Sequence, residues 1–282
     1  MRKVLIPTDF SENAMNAIRY ALELFKYERS EFIIFHAYAD EVYENTLEMS
    51  RELFEAYREK VQEKSDTELQ HVLAQMLAIS PNPRHAYHSL SVFGSLVDVS
   101  NDLVDKENAD VLVMGTRGAT DQRDITFGSN TLQVIKYVKC PVLAIPSRFH
   151  DVHPKHILYT TDYLLPCQRR EIKMLSTLAR KFVATLHFLY ITAFDNLSYR
   201  QQDNRTLLSC LLDENKTVFH QQAGKDIPAV IRDFIETHDI DLLVMTNSRH
   251  SYLESLLHTS KIQDIGLKIQ IPFLVLQNLP RN

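Results

Sequence analysis

Five short apolar runs punctuate the first half of the chain: KVLIP (3–7), FIIFHAY (32–38), YHSLSVF (87–93), DVLVMG (110–115) and PVLAIP (141–146). Runs of this length, without strict alternation, suit strands buried on both faces of a parallel sheet. The stretches between them carry helical spacing. Ala14, Ile18, Ala21, Leu22 and Phe25 recur every three to four residues, and Ser11 is placed to cap that helix. Leu96, Val99 and Leu103 predict a second helix, and Leu132, Ile135 and Val138 a third. A charged, amphipathic segment over residues 41–77 puts Leu47, Leu53, Tyr57 and Val61 on one face, as a stripe for core or dimer packing. Strand and helix in alternation predict a doubly wound α/β fold with right-handed crossovers.

The pattern then repeats. KVLIPTDF (3–10) returns as HILYTTDY (156–163), ADVLVMGTRG (109–118) as IDLLVMTNSR (240–249), and CPVLAIP (140–146) as IPFLVLQ (271–277). Three matches in one order indicate a tandem duplication. The expected fold is α/β, with two tandem doubly wound parallel five-stranded sheets in domains over 1–148 and 154–282. The joint is the polar stretch SRFHDVHPKH (147–156). The closing runs PVLAIP and PFLVLQ read as apolar sheet edges, which invite pairing of the two halves as an internal pseudo-dimer.

Composition narrows the function classes. With 282 residues and a net charge of −5, the chain offers no electrostatic case for nucleic acid or an anionic membrane. The apolar run ahead of Asp9 is too short for a signal peptide, and no stretch is long enough to span a bilayer, so a cytoplasmic location is expected. Three cysteines (Cys140, Cys167, Cys210) without CxxC spacing read as incidental thiols. His150, His153 and His156 flank a proline without accompanying cysteines, and no metal site is expected there.

Glycine is where candidate chemistry enters. The chain has six, and Gly115, Gly118 and Gly128 fall in one loop, MGTRGATDQRDITFGSNT (114–131). In doubly wound sheets, ligands bind beyond the carboxyl ends of the strands, where strand order reverses. Two loops qualify there, one holding Pro7, Thr8 and Asp9 and the other this glycine loop. Its spacing is G-x2-G-x9-G-S, and Gly128-Ser129-Asn130-Thr131 opens the next helix, a ready phosphate site. It is neither a Walker loop nor a dinucleotide fingerprint. Gly94 recurs as Gly224 and reads as a strand-to-helix turn.

The strand ending in Thr8-Asp9, the G-x2-G-x9-G-S-x-T loop and the closing CPVLAIP together resemble the universal stress protein family, over the whole chain and twice. In its ATP-binding members the resemblance implies that Asp9 reads the adenine and that backbone at Ala37 lines the base pocket. Gly115 then lies by the ribose, with Met114 before it in the binding set, and Gly118, Gly128, Ser129, Asn130 and Thr131 hold the phosphates. The second half keeps Asp162 and Ser260, but Thr246, Arg249 and Thr259 replace the three glycines. One nucleotide per chain is therefore expected.

Asp121 and Asp124 would need Mg²⁺ beside a triphosphate; otherwise they belong to a solvated loop. Arg117 and Arg123 are present, but no residue in the loop reads as a base, so ATP binding as a stress-response switch without efficient turnover is favoured. Two alternatives remain. One is an interaction scaffold that binds no nucleotide. The other is a slow ATP hydrolase, or an enzyme of the wider adenine-nucleotide α-hydrolase group; that group's activating members carry an SGGxDS-type loop where this chain has PTDFSEN.

Overall fold

A computed structural model describes residues 1–47, 49–116, 127–147, 149–192, 196–247, 253 and 270–278. The chain divides into two compact units, with His150 in the first and Asp151 in the second. In the first, β1 (Arg2–Pro7), α1 (Glu12–Leu24), β2 (Ser30–Ala37), α2 (Ala39–Thr46), α3 (Arg51–Ile79), β3 (His85–Val92), α4 (Leu96–Glu107), β4 (Val111–Gly115), α5 (Ser129–Tyr137) and β5 (Val142–Ile145) follow one another. Their strands run parallel in the order β3-β2-β1-β4-β5.

The second unit contains β6 (His156–Thr160), α6 (Arg169–Phe182), β7 (Thr185–Ile191), α7 (Tyr199–Leu211), β8 (Lys216–Gln222), α8 (Ile227–Thr237), β9 (Leu242–Asn247) and β10 (Phe273–Gln277). Its strands are again parallel, in the order β8-β7-β6-β9-β10. In both units the order reverses about the first strand, which opens the crevice at the carboxyl ends of β1 and β4, and of β6 and β9.

The central strands are buried on both faces, as uninterrupted apolar runs require. Leu5, Ile34, Leu112 and Val142 are fully enclosed in one unit; Ile157, Leu186, Val244 and Val275 are in the other. The outermost strand β3 departs from that expectation. Over residues 85–91 it alternates half-buried and exposed positions, the half-buried face turning toward α3, where Ser91 bonds Ser65 at 2.8 Å. Ser11 caps α1 as expected, accepting from the Ala14 amide at 3.2 Å.

The predicted stripe over residues 47–61 is not one face of one helix. The chain breaks between α2 and α3, with Ser50 starting the second helix, and Leu47 and Leu53 are left exposed. The stripe of α3 that is buried starts at Val61 and continues through Ser65, Leu69, Val72 and Met76. The break resets the helical phase and takes Leu47 off the face, while within α3 it is Phe54 and Tyr57, not Leu53, that pack in line with Val61.

Each unit repeats the same fastenings. The Asp110 carboxylate accepts the Lys3 amide at 2.9 Å, and Asp241 accepts the His156 amide at 2.8 Å. Asn108 and Asp239, at matching places before β4 and β9, both adopt left-handed backbone, at φ 50° and 49°. Gly94 and Gly224 lie between strand and helix. A Cβ there would meet a valine methyl of the following helix at 2.7 Å (Val99) and 2.5 Å (Val230), so both turns require glycine.

Candidate functional site

At the carboxyl end of β1 the chain makes a tight, hydrogen-bonded turn. The Thr8 amide donates to the Phe35 carbonyl at 2.9 Å, and the Thr8 hydroxyl accepts the Phe10 amide at 3.0 Å. Phe10 takes a left-handed conformation, φ 61°, which turns the chain sharply behind Asp9. Asp9 is exposed, and its Oδ1 accepts both the Ser11 amide (3.1 Å) and the Ser11 hydroxyl (2.6 Å). Pro7 and Thr8 are buried beneath it, and Ala37 ends the neighbouring β2.

Beside it, β4 ends at Met114 and Gly115, both buried. The Thr116 amide donates to the Ile145 carbonyl at 2.9 Å, and the Gly128 amide donates to the Thr116 carbonyl at 2.8 Å. That second bond fastens the start of α5 to the end of β4. Gly128 is the N-cap residue, in extended backbone, and supplies no side-chain cap. Ser129 and Asn130 are exposed on its first turn. Thr131 is buried, and its hydroxyl donates to the carbonyls of Gly115 and Thr116 at 3.1 Å each. That side chain braces the strand end from below; only its backbone belongs to the open helix terminus. Gly118, with Arg117, Asp121, Arg123 and Asp124, lies outside the described residues.

In the second unit the same turn recurs. Tyr163 has φ 56°, the Thr161 hydroxyl accepts its amide at 3.1 Å, and Asp162 Oδ1 accepts the Leu164 amide at 2.9 Å. The space above it differs. Tyr159 stands where the first unit has Ile6, and its hydroxyl bonds to Thr246 Oγ1, at the position of Gly115, at 2.7 Å. Burial holds the Tyr159 phenol above its ordinary ionisation range and pushes Tyr163 up to about 12. Burial also raises the Asp162 carboxyl. A cavity of about 30 Å³ remains, lined in part by Thr160, Asp162, Cys167 and Thr246; that is room for one or two water molecules. Arg249, Thr259 and Ser260 lie outside the described residues.

Residues 1–146 match the Universal stress protein family. The chain belongs to this family. Two universal stress proteins of Methanocaldococcus jannaschii are similar to it: MJ0531 at 27% identity over 145 residues (51% of this chain, 81% of that protein), and MJ0577 at 24% over 156 residues (51% and 94%). A crystal structure of a universal stress protein from Archaeoglobus fulgidus covers 98% of this chain and 96% of its own, with a TM-score of 0.69 at 17% identity. That likeness extends the fold to both units, and a two-unit chain fits the tandem type of the family.

Universal stress protein motifs do not reveal everything at this edge. His36, just before Ala37, packs against Phe10 with tilted rings 4.7 Å apart and hydrogen-bonds Ser65 of α3 at 2.9 Å. Burial lowers its proton affinity below that of an ordinary histidine. The sequence signal was Ser65, a polar residue inside the buried stripe of α3. A groove of about 740 Å³ between α1 and α3 is a second feature the sequence left unread. It is lined by Phe10, Asn16, Arg19, His71 and Gln75, and shares Thr8 with the predicted ligand set. No described helix is long and apolar enough to cross a membrane.

Proposed function

We propose that the first unit binds one ATP at the carboxyl ends of β1 and β4 and acts as a nucleotide-dependent switch in the cytoplasm, with little or no turnover. The observation that carries this reading is the start of α5, whose N-cap is a glycine, tied to the end of β4 by the Gly128–Thr116 bond, in the unit whose first strand ends at an exposed Asp9. First-turn amides without intrahelical partners, carrying partial positive charge and no bulky side chain, suit phosphate oxygens. Asp9 then reads the adenine, Ala37 and the Pro7–Thr8 turn wall the base, and Met114 and Gly115 border the ribose. Gly118, Gly128, Ser129 and Asn130 receive the phosphates, with Thr131 contributing its amide and Mg²⁺ serving as counter-ion.

Turnover would need a base aimed at water. Among the described residues at this edge, Asp9 is engaged by Ser11 and His36 by Ser65. In the second unit the Tyr159–Thr246 bond occupies the equivalent approach, which supports a single nucleotide per chain.

The test is calorimetric titration of ATP into nucleotide-stripped protein, with chromatography of whatever nucleotide the purified chain carries. Ser129→Asp is the informative variant. A carboxylate in the first helical turn favours the fold but repels phosphate. The expected result is one site in the parent and at least about tenfold weaker binding in a folded variant. No heat and no carried nucleotide in the parent would leave the scaffold reading.

A further inference from the structure

Three histidines of the second unit, dispersed in sequence, converge across three neighbouring strands. His156 Nδ1 of β6 lies 3.1 Å from His187 Nε2 of β7, and His187 Nδ1 lies 3.0 Å from His220 Nε2 of β8. The His187 and His220 rings stack at 5.3 Å. From α8, Phe234 meets His220 edge-on at 4.8 Å, and His238 lies 5.3 Å from His220 and 5.9 Å from His187. The ladder thus links β6, β7 and the outermost strand β8, and the aromatic ends of α8 rest against it. The first unit has nothing comparable: Lys3, Ile33 and Leu90 stand at the same register positions.

Proton counting gives the ladder a property that no single histidine has. Three rings carry six nitrogens, four of them in the two N···N contacts, and each contact needs one hydrogen. Three neutral rings supply three hydrogens and satisfy both contacts. A fourth hydrogen is also accommodated, because the central ring can then donate both ways or the charge can move to either end. A fifth leaves at most two for the outer nitrogens, so three fall on the contact nitrogens and one contact faces N–H against N–H.

We propose that the His156–His187–His220 ladder is an acid-released latch, which accepts one proton and gives way to a second, freeing β8 and α8 from the second unit. The surrounding charges oppose protonation rather than offset it. Those acting on His187 are His156 from β6, His220 and Lys216 from β8, and His238 from the end of α8, all of one sign when charged. Asp241, a carboxylate at the start of β6, is engaged with the amides of Lys155 and His156. Burial first, then these neighbours, lowers His187 from 6.5 to about 4. An unfolded chain takes up that proton near 6.5, so the fold's advantage is intact above this value and is lost as pH falls toward 4.

The experiment uses the full chain. Nitrogen-detected NMR of the imidazoles reads tautomer and charge through the titration, and amide exchange reads protection of β8. His187→Ile and His220→Leu place the first unit's own residues at these positions. In the parent, His187 is expected to stay neutral while exposed histidines titrate, and β8 protection to fall about tenfold or more between about pH 6.5 and 4.5. Either variant is expected to flatten that dependence. An ordinary titration of His187 in the parent overturns the proposal, as does a variant whose β8 protection keeps the parent's pH slope.

Discussion

The ends of β1 and β6 are built on the same turn and do opposite things with the space above it. Each has a threonine hydroxyl accepting the amide two residues on, a left-handed aromatic residue, and an aspartate accepting a nearby amide. In the first unit that turn faces a strand ending in glycine and a helix start whose N-cap residue is also glycine. In the second, Tyr159 reaches across to Thr246 and leaves a cavity of about 30 Å³. A ligand crevice of this fold is therefore a matter of what the two strand ends leave out. Two substitutions, Ile to Tyr and Gly to Thr, fill the approach without disturbing the turn.

The largest effect should come from carrying the second unit's residue into the first. Gly115→Thr is expected to weaken ATP on the order of 100-fold, by calorimetry, because a side chain then stands where backbone must be approached closely. Full binding in that variant would show that the strand end does not border the ligand. Next is Thr131→Val, which removes the bonds to the Gly115 and Thr116 carbonyls. Urea unfolding should show a loss of about 1–3 kcal/mol, with ATP weakened only through the displaced loop.

Tyr159→Phe should lower second-unit stability by about 0.5–1.5 kcal/mol and add no second ATP site. A second binding event there would mean that the hydroxyl alone closes it. The smallest effect concerns Asp162. Its carboxyl is raised by burial, so the protonated form suits the fold, and stability is lost as pH rises through the folded value. Asp162→Asn keeps the acceptor for Leu164 and should stabilise the chain slightly at neutral pH, with no gain in strong acid. An equal gain at both would remove burial as the cause.

Much of this was legible because it depends on local pattern. Uninterrupted apolar runs marked the strands, Ser11 marked a helix start, and the Thr-Asp-aromatic triplets marked both turns. The misread stripe shows where pattern fails: the break between α2 and α3 shifts the helical phase at Leu47, and within α3 the packed residue is Phe54, the neighbour of the exposed Leu53. Thr131 reads as a phosphate ligand from its place in a G-S-x-T motif; the strand end it braces lies 15 residues earlier in the chain.

What the sequence determined by itself was the order of elements, the place of the crevice and which half keeps its glycines, because spacing and residue size are written along the chain. Only the tertiary structure decided which side chains meet. Parallel strands bring His156, His187 and His220 together from separations of 31 and 33 residues, and they set Tyr159 against Thr246 across 87. Such contacts depend on register between strands, and register is a property of the assembled sheet, not of any segment within it.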